Sequence, residues 1–326
     1  MTDGPPSYEA GMTRSLALVG LLSVPLVACS SANSPAAAPP VPVASVVAPS
    51  GPARCSHEPQ ILAPQGSLLG IASDDQRVYW ADGVGAVMAI PKGGGTATTL
   101  AKTSLAPQSI AARGGDVFWV EYGAVKAMSG SGGPERTIAR GTGPTRGLAV
   151  AGDELVVVDL DRDAVTALAV GGGAKRAVFA GVAAGYRVAA DAAGVAFFRV
   201  TENRAIDLVT VATGLDARVI VHGPLTPGPL VMDHASVWFD GGAGLQKVAR
   251  AGGTAVAVAP DHVLDLAVDG GDVYFMTSAG ELKRATADGR SQTLAPVDPP
   301  ARGGLVVDDQ CVYFAAKGSV MKVAKP

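Results

Sequence analysis

Cysteines, histidines and acidic residues at turns are the groups in this chain that could do chemistry. The cysteines are Cys29, Cys55 and Cys311. An odd number leaves one outside any intramolecular pair, so one has a separate task. The histidines are His57, His222, His234 and His262. None stands in an HxH, HExxH or Cys/His spacing that holds a metal. His222 and His262 fall in neighbouring connections, and a hydrolase or lyase with a metal in a central funnel would need them to converge. Asp159-Leu-Asp161-Arg-Asp163 alternates carboxylates, but it lacks the Gly and Glu that a calcium loop requires at its sixth and twelfth positions. It reads as a hairpin turn, where acidic residues are common. There is no GxSxG, and the Gly-rich stretches lead into strands rather than helices, so they are not phosphate loops. The sequence offers no catalytic set, no metal site and no cofactor site.

Composition narrows the class. The chain has 326 residues, 48% apolar and 17% charged, with net charge −3. A near-neutral balance without basic clusters argues against a nucleic-acid partner. It contains 42 Gly and 23 Pro, which in a chain rich in β-branched residues suggests short strands joined by tight turns.

The elements that position the candidate residues are repeats. One copy reads Ile71-Ala-Ser-Asp-Asp-Gln-Arg-Val78-Tyr79-Trp80-Ala-Asp82, then Val87-Met-Ala-Ile90, then Gly93-Gly-Gly95, then Thr99-Leu100-Ala101. That is four short antiparallel strands with tight turns, one propeller blade. Its second strand recurs from Val78, Val117, Leu155, Val195, Val237, Val273 and Val312, at steps of 39, 38, 40, 42, 36 and 39. Spacing near 40 is a blade period. The expected fold is all-β, a seven-bladed β-propeller of four-stranded antiparallel blades. The last copy stops after its third strand, near Val320–Ala324. Gln60-Ile-Leu-Ala-Pro64 matches the fourth strand Gln292-Thr-Leu-Ala-Pro296, so an N-terminal strand should complete blade 7. Cys55 precedes that strand and Cys311 opens the second strand of the same blade. A Cys55–Cys311 disulfide would pin the closure. The aromatics Tyr79, Trp80, Trp119, Trp238, Phe239, Tyr274 and Tyr313 occupy equivalent positions and should pack blade on blade.

At the N-terminus, Arg14 precedes an apolar run from Leu16 to Ala28 that is too short to span a bilayer but right for a signal segment. It ends in Leu26-Val27-Ala28-Cys29, which resembles the lipobox of bacterial lipoproteins. That resemblance implies cleavage before Cys29 and lipidation of its thiol. The acidic stretch before Met12 suits no signal segment, so we read Met12 as the start. The organisation expected is 1–28 signal peptide, 29–54 lipidated Pro/Ala/Ser-rich tether, and 55–326 propeller. Ser30 after the lipidated position implies outer-membrane sorting by the Gram-negative habit. The partners expected are the membrane, through the lipid, and a protein or small-molecule ligand.

Tyr79-Trp80-Ala81-Asp82 resembles the YWTD motif of propellers in the low-density-lipoprotein receptor family, which have six blades against seven here. The general pattern over 58–326 resembles bacterial propeller lipoproteins of the TolB, NHL and virginiamycin B lyase kind, and the resemblance is one of fold. In such a propeller the fourth-to-first connections and the second-to-third hairpins share a face. The connections hold Arg146, Tyr186, Arg187 and Arg302; the hairpins hold Asp82, Glu121, Glu202 and Asp240. Arg146, Arg187, Arg302, Asp82, Glu121 and Asp240 are the candidate ligand-binding mouth. The function expected is a non-enzymatic ligand- or protein-binding scaffold lipoprotein of the cell envelope. The metal-dependent hydrolase or lyase is the alternative.

Overall fold

The structure is a computed structural model that describes residues 55–64, 66–142, 147–159, 162–181, 187–201, 203, 205–214, 216–297 and 300–326, with only the backbone of 300–303. Cys29, Met12 and the segments 1–28 and 29–54 lie outside the described residues.

The described strands form seven four-stranded antiparallel sheets, the blades of a seven-bladed β-propeller. Six are continuous in sequence: 68–102, 109–140, 148–180, 188–223, 230–259 and 263–296. Blade 7 takes three strands from the end of the described chain, Pro300–Val307, Cys311–Ala316 and Ser319–Ala324, and its outer strand, Gln60–Pro64, from the beginning. The expected closure is thus observed, in detail as well as outline. In blades 1–6 the pairing of third and fourth strands slips by one residue, for example between Val87 and Met88. Gln60–Pro64 carries the same slip, between Ile61 and Ala63. A bulge bends and twists the outer strand, and the N-terminal strand accepts that bend as the six in-line strands do.

The turn before each outer strand explains the glycine runs. Gly94 and Gly95 take φ of +96° and +122°, a region that glycine enters without steric cost. The same pair recurs at Gly132–Gly133, Gly172–Gly173 and Gly252–Gly253.

Buried residues fall into seven clusters, each between two blades rather than within one. The two-residue period of a strand produces this. Tyr79 points to blade 2, into the cluster with Val117 and Trp119. Trp80, the next residue, points to blade 7, with Tyr313 and Cys311. Tyr79, Trp80, Trp119, Trp238, Phe239, Tyr274 and Tyr313 are all at most 1% exposed. The aromatics are therefore blade-to-blade packing, each contributing about 1.5–3 kcal/mol of burial. Two of their polar tips find carboxylates in the first-to-second-strand turn, whereas the buried indole N–H groups of Trp80 and Trp119 have no hydrogen-bond partner among the described residues. The Tyr79 hydroxyl donates to Asp74 at 2.7 Å and the Trp238 indole N–H to Asp233 at 2.8 Å.

Ion pairs cross the same seams. The residue after the third strand reaches back to a first-to-second-strand turn of the preceding blade. Arg250 of blade 5 grips Asp191 of blade 4 at 2.6 and 3.0 Å, and Lys325 of blade 7 pairs with Asp269 of blade 6. Lys92 of blade 1 meets Asp308 of blade 7 at 2.6 Å, so the closing seam is tied like the others. Burial alone would raise the Asp308 carboxyl, but Lys92 and the N–H groups of Gln310 and Cys311 bring it below its ordinary value. The disulfide Cys55–Cys311 is formed, with Cα atoms 5.9 Å apart.

Candidate ligand mouth

Each blade's first strand lines the central channel, and one side of that strand has no sheet neighbour. Its backbone N–H and C=O groups face the channel. The strand register aligns the seven blades at one level. Opposite the row Trp80, Trp119, Val157, Phe197, Phe239, Phe275 and Phe314 stand Ile71, Ile110, Leu148, Val188, Leu230, Leu266 and Leu305. These large side chains turn into the seams between blades. The residues after five of them are Ala72, Ala111, Ala149, Ala189 and Ala267. Small side chains leave the axis open, as a cavity of about 430 Å³ lined by all seven first strands.

The residues immediately before that aligned row form the rim of the cavity on the connection face. They are Gly70, Ser109, Gly147, Arg187, Pro229, Asp265 and Gly304. Five are small or cyclic and two carry opposite charges. Arg187 of blade 4 reaches Asp265 of blade 6 at 4.0 Å, with side chains 36% and 14% exposed. A bulge between Val263 and Asp265 re-aims this side chain, as bulges at sheet edges do. Burial raises the Asp265 carboxyl above its ordinary value, more than Arg187 and the N–H groups of Leu266, Leu305 and Gly304 lower it. A raised carboxyl in a cleft, facing a guanidinium, is a frequent mark of a functional site. Gly147 gives the arginine its place: a Cβ there would stand 3.1 Å from the Val188 nitrogen and 3.5 Å from the Arg187 carbonyl carbon.

Of the residues expected at the mouth, Arg187 is on the rim. Arg146 lies outside the described residues, as do Tyr186 and Glu202, and for Arg302 only the backbone is described, in the first strand of blade 7. Asp82, Glu121 and Asp240 end second strands, one strand farther from the axis, and their oxygens hold loops. Asp82 accepts the Val84 N–H at 3.0 Å. Glu121 accepts the Ser104 N–H at 3.0 Å and pairs with Lys126 at 2.7 Å. Asp240 accepts N–H bonds from Gly242 at 2.7 Å and Val263 at 2.8 Å. A carboxylate at this position closes its own hairpin or the neighbouring connection. Asp159 does the same, accepting from Arg162 at 2.9 Å.

The histidines go to different carboxylates. His222 Nδ1 lies 2.5 Å from Asp207, which Arg199 also grips at 2.7 and 2.9 Å. His262 Nδ1 lies 3.5 Å from Asp240. Burial raises the Asp207 carboxyl, but His222 and Arg199 outweigh it and hold the group below its usual range. Among the described residues no group of three or more His, Cys, Asp or Glu could hold a metal ion.

Asp265 is a rim residue that sequence reading did not single out. Its signal was present: Val263-Leu-Asp-Leu-Ala-Val268 carries the one charge inside an otherwise apolar first-strand run. On the same face as the rim, four apolar side chains of blades 1 and 2 are exposed. Leu69 is 39% exposed, Val84 86%, Leu105 55% and Tyr122 63%. Hydrogen bonds from Gly83 to Ser67, Thr103 to Gly85 and Ser104 to Glu121 link the loops that carry them.

No family model matches this chain, and no curated protein matches it. Solved structures do. A chain of the nidogen/laminin complex is similar with a TM-score of 0.53 and 15% identity, over 73% of this chain and 94% of that one. The extracellular domain of the two-component system protein BT4673 from B. thetaiotaomicron gives 0.62 and 11% identity over 82% of this chain, which spans only 40% of that one. The computationally designed protein Ika8 gives 0.61 and 13% identity, over 82% of this chain and all of that one. At these identities the likeness concerns the propeller fold alone.

Proposed function

We propose that this chain is an exported, lipid-anchored binding propeller that holds its ligand or partner at the Arg187–Asp265 rim and performs no chemistry on it. The observation that carries the reading is the meeting of these two charges from blades 4 and 6 over an open channel. Inter-blade ion pairs elsewhere join adjacent blades, as Arg250–Asp191 and Lys92–Asp308 do. The disulfide supports export, because such bonds persist in oxidising compartments. The lipobox-like Leu26-Val27-Ala28-Cys29 supports the anchor and, with Ser30, the outer membrane. Cys55 is bonded to the start of a second strand, on the face opposite the rim, so anchor and ligand would use different faces. Leu69, Val84, Leu105 and Tyr122 are exposed on the same face as the rim, and exposed apolar side chains near a mouth are common at binding surfaces.

Capture from solubilised envelope by the full chain tests the reading. Partner recovery should fall at least tenfold with Arg187→Ala or Asp265→Ala and stay unchanged with Lys102→Met, an exposed outer-strand position. Undiminished capture by both rim variants would remove the site from the rim. Turnover of a substrate that Arg187→Ala abolishes would replace binding with catalysis. Cys29→Ser should release the protein from the membrane fraction.

A further inference from the structure

We infer that the rim is an anion receptor, and that the ligand is a small organic molecule whose carboxylate docks on Arg187 while its body enters the channel. This rests on the rim being the ligand site.

The two charges of the rim are not equivalent. Asp265 is spent: Leu266 N–H donates to its Oδ1 at 3.0 Å, and Gly304 and Leu305 N–H groups also act on the carboxylate. Those bonds belong to the first strands of blades 6 and 7, so this carboxylate stitches the inner ring. Arg187 is not spent. Among the described residues its one ionic partner is Asp265, at 4.0 Å, beyond hydrogen-bonding range. A guanidinium has five N–H donors in a planar fork that matches a carboxylate with two parallel bonds. Elsewhere in the protein Arg250 uses that fork, reaching both oxygens of Asp191, while Arg199 sets two N–H groups on one oxygen of Asp207. Arg187 is about one third exposed at the rim, so its N–H donors are accessible to a ligand. Asp265 keeps it there as a positioning residue.

The cavity beneath limits the rest of the ligand. Its volume of about 430 Å³ is at the small end of ligand pockets. Its walls combine methyl-sized side chains with the free peptide edges of seven strands, which suits a compact body with some polar atoms. The other rim positions among the described residues are glycine, serine and proline, whose small or cyclic side chains take little room.

Matched probes isolate the charge. Ligand-observed NMR on the full chain, at fixed ionic strength, would compare benzoate, benzamide and inorganic phosphate. Benzoate should bind at least tenfold more tightly than benzamide. Arg187→Met should abolish that difference, Arg187→Lys should recover only part of it, and Lys102→Met should leave it intact. Phosphate should compete with benzoate, since it uses the same fork. Equal binding of benzoate and benzamide, both displaced by bulk at the rim through Gly147→Val, would overturn the anionic class while leaving the rim as the binding site. No binding of any probe, together with undiminished envelope capture by Arg187→Ala, would overturn both. An anion preference that survives Arg187→Met would place the receptor elsewhere and overturn the assignment.

Discussion

Cutting the Cys55–Cys311 bond measures how much of the propeller's stability lies in its closure. The bond joins residues separated by 256 positions, so in the unfolded chain it closes a loop that includes nearly the whole propeller. Chain entropy puts the stabilisation from such a loop at about 5 kcal/mol, while measured disulfides usually contribute about 2–4 kcal/mol. For a domain of this size each kcal/mol moves the melting temperature by about 2 °C, so the fall should be about 4–10 °C. The native fold should persist, because Gln60–Pro64 still pairs with Ser319–Ala324 and buries Leu62 and Ala63. The assay is denaturant and thermal unfolding of wild type under oxidising and reducing conditions, and of the Cys55→Ala/Cys311→Ala double variant. Alanine avoids leaving a hydroxyl at position 311, which is 0% exposed. Amide exchange at residues 60–63 should rise well before that of the inner strands. If reduced and oxidised protein unfold at the same denaturant concentration and those amides stay protected, the disulfide contributes nothing to closure and the argument fails.

Gly130→Ala should destabilise by about 1–3 kcal/mol in chemical unfolding, the range for overpacking, because a Cβ there would overlap the Tyr79 hydroxyl of blade 1; the cost should shrink in a Tyr79→Ala background. Asp240→Ala should cost about 2–4 kcal/mol, since it strands the N–H groups of Gly242 and Val263; an unchanged midpoint would return this carboxylate to a ligand-binding role. Asp265→Asn should raise the melting temperature at pH 7–8. The folded carboxyl lies above its ordinary value of 3.8, so the folded state holds its proton more tightly, and stability is full below 3.8 and is lost as pH rises through the folded value. The gain from Asn should therefore vanish below pH 3.8, and a gain that persists there would refute the pKa argument.

The propeller was legible in the sequence because its causes are local and repeated. Each blade needs a strand led by Val and an aromatic, a glycine pair with positive φ, and a period set by four short strands, all of which lie within about 40 residues. Even the closure could be read, since Gln60–Pro64 repeats the composition of the strand it replaces. The proposed rim pair could not be read in the same way. Arg187 and Asp265 stand 78 positions apart and meet only because curvature brings blades 4 and 6 to a shared axis, and a bulge turns the aspartate inward. Asp82, Glu121 and Asp240 are expected at the mouth from their hairpin positions, and their hydrogen bonds are not legible there. Tertiary structure shows their oxygens bonded to loop N–H groups, a choice made by backbone geometry that residue type does not encode. The sequence by itself thus determined the blades, their number and the closing pair of cysteines, because local pattern governs strands and turns. Which charges face the axis was decided only in the folded ring, where distance along the chain no longer measures distance in space.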